Sequence, residues 1–399
     1  MAGALDGIRV LDLTVYQQGP HGAAMLADLG ADVIKIEPPD TGDLGRVNGD
    51  AYFNYLNRGK RGIALDLKNE AGKEVFLRLA DTADIFHNNL RPGVIDRLGL
   101  TYPVLSARNP RIIVNNATGW GHLGPDAEAQ LGSFDGLAQA RGGLQSVNVT
   151  LEAPQHGVPV PLADQVGGMI SAYGMLAALY EREKSGMGQE VNSSLYGSQI
   201  SLQGFGITNA MWTGKNPVPR GKKSSPRTGV YETSDGPIQL QGGAPDRWWP
   251  EFCQIMGIPD RAEGVYSKNA LDANWCEETY DIVAKVFLTA TRDEWMARLS
   301  PKFHLAPVRN YLEVAKDPQA WANGYLVEVK AKDGSMKPTV GPPVHMSRTP
   351  TSVKSFAPDK GEHTDEILLE SGFSEAEVAD YRGRGAFGAE VAGAAAAGA

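Results

Sequence analysis

Up to about residue 120, short β-branched apolar runs alternate with stretches whose apolar residues recur at helical spacing. Ile8–Thr14 reads as a strand, Gly22–Leu29 as a short helix closed by Gly30, and Asp32–Glu37 as the next strand. A further strand is expected over Ile63–Leu67, a helix over Glu70–Ala80 with Val75, Phe76 and Leu79 on one face, and strands over Asp84–His87 and Arg111–Asn115. Alternation of this kind predicts an α/β domain with a parallel, Rossmann-like sheet and crossover helices. Such sheets bind ligands beyond the carboxyl ends of their strands, where loops and helix N-termini present backbone N–H groups. The loops after Thr14, Glu37, Leu67, His87 and Asn115 are therefore the places to look for chemistry.

The clearest helix runs from Asp164 to about Lys184, with Met169, Ala172, Tyr173, Leu176, Leu179 and Tyr180 at helical spacing and Gly186 past its end. Asp164 is expected at its N-cap, and capping alone accounts for an aspartate there without any chemistry. Gly167, Gly168 and Gly174 weaken the helix by about 1 kcal/mol each relative to Ala, so backbone or ligand should approach closely. A carboxylate at a helix N-terminus should also stay ionised, and so be available as a nucleophile.

At 399 residues and 42% hydrophobic content, the chain exceeds what one core usually fills, about 250–300 residues. Residues 1–212 are expected to form the large domain. Segment 213–229 has many breakers and no apolar period, and reads as a linker. Beyond it come a hairpin over Val230–Leu240 turning at Ser234-Asp235-Gly236, and helices near Trp248–Met256, Glu277–Thr289 and Arg292–Leu299. These predict a smaller α+β domain over 230–325, with 326–384 returning to complete the large one. The Ala/Gly-rich residues 385–399 are expected to be disordered.

A formal net charge of -9 argues against a nucleic-acid-binding role, which calls for dense Lys and Arg. Cys253 and Cys276 are the only cysteines, without a C-x-x-C pair or clustered His, so neither a disulfide framework nor a metal site is supported. No apolar run approaches about 20 residues and the N-terminus has no leader pattern, so a cytoplasmic, unprocessed protein is expected. The turn Thr14–Gly22 lacks the G-x-G-x-x-G spacing of dinucleotide sites, although Glu37 ends the second strand where a ribose-binding acid would stand.

The run Ala163-Asp164-Gln165-Val166-Gly167-Gly168-Met169 and its continuation to Val191 resemble the signature of family III CoA-transferases, the group of formyl-CoA and carnitine CoA-transferases. Leu5–Thr14, Gly19-Pro20, Leu29–Glu37, Asn57–Arg61, Leu65–Lys68, Asn89–Gly99 and Gly361–Thr364 resemble that family in order and spacing. The resemblance implies that Asp164 is acylated by an acyl-CoA and then carries CoA as a thioester before an acceptor carboxylic acid takes it. Coenzyme A and acyl-CoA are then substrates, with no resident cofactor. The resemblance also implies CoA contacts from Gln17, Gln18, Leu65, Lys68, Asn89, Leu90, Arg91 and Arg97, with Asp135 added to the binding set. Pro38 stands where relatives often carry an Arg that stacks on the adenine, so the adenine clamp must be made differently or be weaker. An interlocked homodimer is implied, with a heteromer of related subunits as the alternative.

Two other readings share the fold. α-Methylacyl-CoA racemases need a second acid/base, a His where this chain has Phe134 and a small-domain Glu that Gly242–Asp246 lacks; a phenyl ring transfers no proton. Asp135, Asp246, His122 and His21 remain as other ionisable groups. A non-catalytic CoA-binding subunit would be marked by a missing nucleophile, and Asp164 is present. Trp120, Phe134, Trp212, Trp248 and Trp249 would favour a bulky or aromatic acid over formate or oxalate if they line the acyl pocket.

Overall fold

Six strands, β1 (Arg9–Leu13), β2 (Asp32–Glu37), β3 (Arg61–Ala64), β4 (Ile85–Asn88), β5 (Ile113–Thr118) and β6 (Glu190–Ser194), form one sheet in the order β3-β2-β1-β4-β5-β6. Every neighbouring pair is parallel. This computed structural model describes residues 3–148, 157–217, 225–242, 245–262, 269, 272–300 and 302–388.

The unbroken apolar runs are explained by burial on both faces of the sheet. Leu11, Ile34, Phe86 and Val114 point into one core, with the Glu70–Ala80 helix and Ile367, Leu368, Phe373 and Val378 of the C-terminal segment. Val10, Val33, Ile85 and Ile113, each one residue earlier, point into the other core, with the helices Gln18–Asp28 and Leu162–Ser185. The strand order reverses between β1 and β4, the switch point at which open α/β sheets bind ligands.

Packing separates a unit of residues 1–149, 155–217 and 319–399 from one of 150–154 and 218–318. The second unit carries the antiparallel strands β7 (Thr228–Thr233), β8 (Gly236–Gln241) and β9 (His304–Pro307) over a core that includes Tyr231, Trp249, Phe287 and Trp295. The first unit also carries a hairpin, β10 (Leu326–Lys330) with β11 (Met336–Val340).

Several expectations need correcting. The first helix begins at Gln18, not Gly22, because Gly19 and Pro20 fall in its first turn, where an N–H is not required. The linker is shorter than 213–229: Thr228 and Gly229 already pair with Gln241 and Leu240. The return to the larger unit starts at Gln319, earlier than 326. Gly385–Gly388 is ordered, with Ala386 buried in the core, Phe387 packed against it and the Ala386 carbonyl accepting from Asp66 N at 2.8 Å. Two apolar side chains amid small residues suffice to pin it. The remainder of the expected tail, 389–399, lies outside the described residues.

Candidate active site

Beyond β1 the chain turns through Val15 and Tyr16 into the first helix, and Tyr16 holds a left-handed backbone with φ +61°. Asn89, just after β4, braces this turn: its side-chain oxygen accepts from Val15 N and its Nδ2 donates to Val15 O, both at 2.8 Å. The Asn89 amide is thus committed to the loop. Gln18 is buried, and its side chain lies where a Cβ on Gly167 would stand, at 3.0 Å. A Cβ on Gly168 would meet the Gln18 carbonyl oxygen and the His21 ring, both at 2.8 Å. Gly167 and Gly168 therefore admit the first helix.

Asp164 lies half-buried in the first turn of the Leu162–Ser185 helix, whose N-cap is Pro161. The expected capping role belongs to Asp135, at the start of the helix Asp135–Arg141. Asp135 Oδ1 accepts from Ala163 N at 2.6 Å and Asp164 N at 3.1 Å, and its Oδ2 accepts from Gln139 Nε2 at 2.6 Å. Burial, and after it the Asp135 charge, push the Asp164 carboxyl from 3.8 up to about 7. The helix end was expected to hold Asp164 as the anion; burial and the Asp135 charge act against this, and Asp135 accepts from the Ala163 and Asp164 N–H groups.

Asp164 opens into a cavity of about 420 Å³ walled by Val15, Tyr16, Leu44, Leu90, Leu131 and Phe134. Gln17, Gln18, Asn89 and Arg91 also line it, so five of the expected CoA contacts meet Asp164 there, counting Leu90. Tyr16 and Phe134 pack edge to face across 6.4 Å. A second cavity, of about 680 Å³, shares Val15, Leu90 and Val94 with the first and gathers Pro38, Leu65, Lys68 and Lys360. The three cations among the expected CoA contacts, Lys68, Arg91 and Arg97, do not line one cavity. The helix Val94–Leu98 turns Val94 and Leu98 to the cavity of Lys68, whereas Arg97 lines a third cavity, of about 670 Å³, that Arg91 also reaches. Asp135 lines none of these three cavities and acts from beneath.

Glu37 holds Arg46 through two bonds at 2.8 and 2.6 Å and accepts from Asp43 N, so its carboxylate is occupied. Tyr52 escaped the sequence reading. Burial, followed by the Asp164 charge, raises its hydroxyl pKa. Nothing in the spacing of Asp50–Asn57 announced that role.

Residues 5–364 match the model of CoA-transferase family III. The chain belongs to that family. It is a CoA-transferase, and this family III member resembles curated enzymes along nearly its whole length. It is 31% identical to a formyl-CoA:oxalate CoA-transferase of Rhodopseudomonas palustris, covering 97% of this chain and 98% of the relative. It is 33% identical to a succinyl-CoA:mesaconate CoA-transferase of Haloarcula hispanica, covering 93% and 97%. A solved CaiB/BaiF family protein of Brucella suis superposes with a TM-score of 0.82 at 29% identity, over 93% of this chain and all of that one.

Proposed function

We propose that this family III enzyme moves CoA from an acyl-CoA to a carboxylic acid by way of Asp164. The Asp164 carboxylate attacks the thioester carbonyl, the C–S bond breaks, and CoA leaves as its thiolate. The thiolate then attacks the aspartyl carbonyl of the mixed anhydride, which releases the first acid and leaves aspartyl-CoA. The acceptor carboxylate displaces CoA to form a new anhydride, and the thiolate cleaves this at the acceptor carbonyl, giving the new acyl-CoA and free Asp164. Every step exchanges one acyl bond for another.

The observation that carries this reading is a half-buried carboxylate at the end of two joined cavities on the switch point of the sheet. We assign the nucleotide end of CoA to the larger cavity, with Lys68 beside its phosphates and Pro38 in contact with the base in place of a stacked guanidinium. Pantetheine would pass Val15, Leu90 and Val94 to Asp164. Racemisation is less well supported: among the described residues lining the Asp164 cavity, Asp164 is the one carboxylate and none is a histidine, with Phe134 in the wall. Incubation with a panel of acyl-CoAs and acids, followed by mass spectrometry of the CoA esters, tests the reading. Exchange of CoA between acids is expected; proton exchange at the α-carbon without transfer would overturn it.

A further inference from the structure

A buried ion pair between Lys35 and Asp43 bears on the turn at Tyr16. The Asp43 carboxylate is 1% exposed and the Lys35 ammonium 0%, with 2.7 Å between them. Asp43 Oδ2 accepts from Lys35 Nζ, and Asp43 Oδ1 accepts from Tyr16 N at 3.1 Å and Gly45 N at 2.7 Å. Lys35 Nζ also donates to Thr14 O at 3.0 Å, so the pair grips the β1 turn on both sides of Val15. A tyrosine at φ +61° is in a region that L side chains rarely occupy, and it persists only where its surroundings hold it. Asp43 is fastened in turn by its own N–H to Glu37 Oε2 at 2.8 Å.

We propose that Asp43, held by Lys35, is a positioning residue for the reaction: it fixes Tyr16 in the left-handed turn that presents Tyr16 and Gln17 to the Asp164 cavity. The proposal rests on the assignment of the reaction to that cavity. Asp43 also lines the larger cavity, together with Pro38, Pro39 and Thr41 of its own loop, so one carboxylate ties that loop to the turn facing Asp164. Asparagine cannot replace it. A carboxylate accepts on both oxygens, whereas an amide would set its NH2 against either the Lys35 ammonium or the two backbone donors.

The test is a double-mutant cycle between Asp43→Ala and Tyr16→Gly, read as kcat and KM for CoA transfer. Asp43→Ala should lower kcat roughly tenfold or more while changing the KM for acyl-CoA less. Glycine adopts φ +61° unaided, so in the Tyr16→Gly background the same substitution should cost at most about a third as much in kcat. An equal loss in both backgrounds would overturn the proposal, since a general weakening of the fold does not depend on residue 16. If Asp43→Ala does not fold, the isosteric Asp43→Asn runs the same cycle with the same two outcomes. Asp164→Asn is assayed alongside: full transfer there would sink the nucleophile assignment, while the cycle would still show whether Asp43 sets the turn.

Discussion

Asp135 and Asp164 divide one helix end between them, and burial together with the Asp135 charge raises the Asp164 carboxyl to about 7. On the proposal that Asp164 is the nucleophile, it is largely protonated below that pH and cannot attack, so kcat/KM for acyl-CoA should climb through about pH 7 to a plateau. Asp135→Asn can keep an oxygen facing the Ala163 and Asp164 N–H groups but removes the repelling charge, and should move this acidic limb to lower pH. A limb that stays put would show that Asp135 does not tune Asp164. The same shift affects stability. A carboxyl whose folded pKa lies above its unfolded value favours folding at low pH, and that contribution is lost as pH rises from 3.8 through about 7. Asp164→Asn should therefore raise the thermal midpoint at pH 8 by roughly 2–4 °C, with little effect at pH 4.

Two glycines of the Leu162–Ser185 helix make opposite predictions about what the element tolerates. Gly168→Ala forces a Cβ to 2.8 Å from the Gln18 carbonyl oxygen, a backbone atom in a packed helix, and should destabilise by about 1–3 kcal/mol despite the better helix propensity of Ala. Gly174→Ala meets only Val191 Cγ1 at 2.8 Å, one side-chain atom in place of both backbone and ring, and should cost less. Denaturant melts of the two variants decide this; equal losses would contradict the packing argument. The strands β1, β2, β4 and β5 were legible in the sequence because burial on both faces leaves continuous apolar runs, but the runs did not show which residue faces which core. That Gly167 and Gly168 mark a close approach was legible too, but not that the first helix makes it. The cap was misread because its acceptor, Asp135, is remote in the chain and only folding brings it to Ala163 and Asp164. The φ of Tyr16 left no trace, since no glycine marks the turn.

At the scale of the whole molecule, the proposed placement of CoA needs a cation beside its phosphates on a chain whose net charge is -9, and Lys68 lines the larger cavity. Lys68→Ala should raise the KM for acyl-CoA several-fold and flatten its salt dependence while largely sparing kcat, because a phosphate contact binds ground state and transition state alike. Among the described residues no helix is long and apolar enough to cross a membrane. We propose a homodimer, interlocked as the family resemblance implies; light scattering at micromolar concentration should give about twice the 42.7 kDa of one chain, and a monomer would contradict it. The most direct test of the account is the covalent intermediate itself. The enzyme is incubated with acyl-CoA and no acceptor acid, quenched, digested and examined by mass spectrometry, with a parallel sample treated with hydroxylamine. The account predicts acyl or CoA mass on the peptide containing Asp164 and its release to leave an aspartyl hydroxamate. An unmodified Asp164 peptide from enzyme that transfers CoA at its normal rate would contradict it.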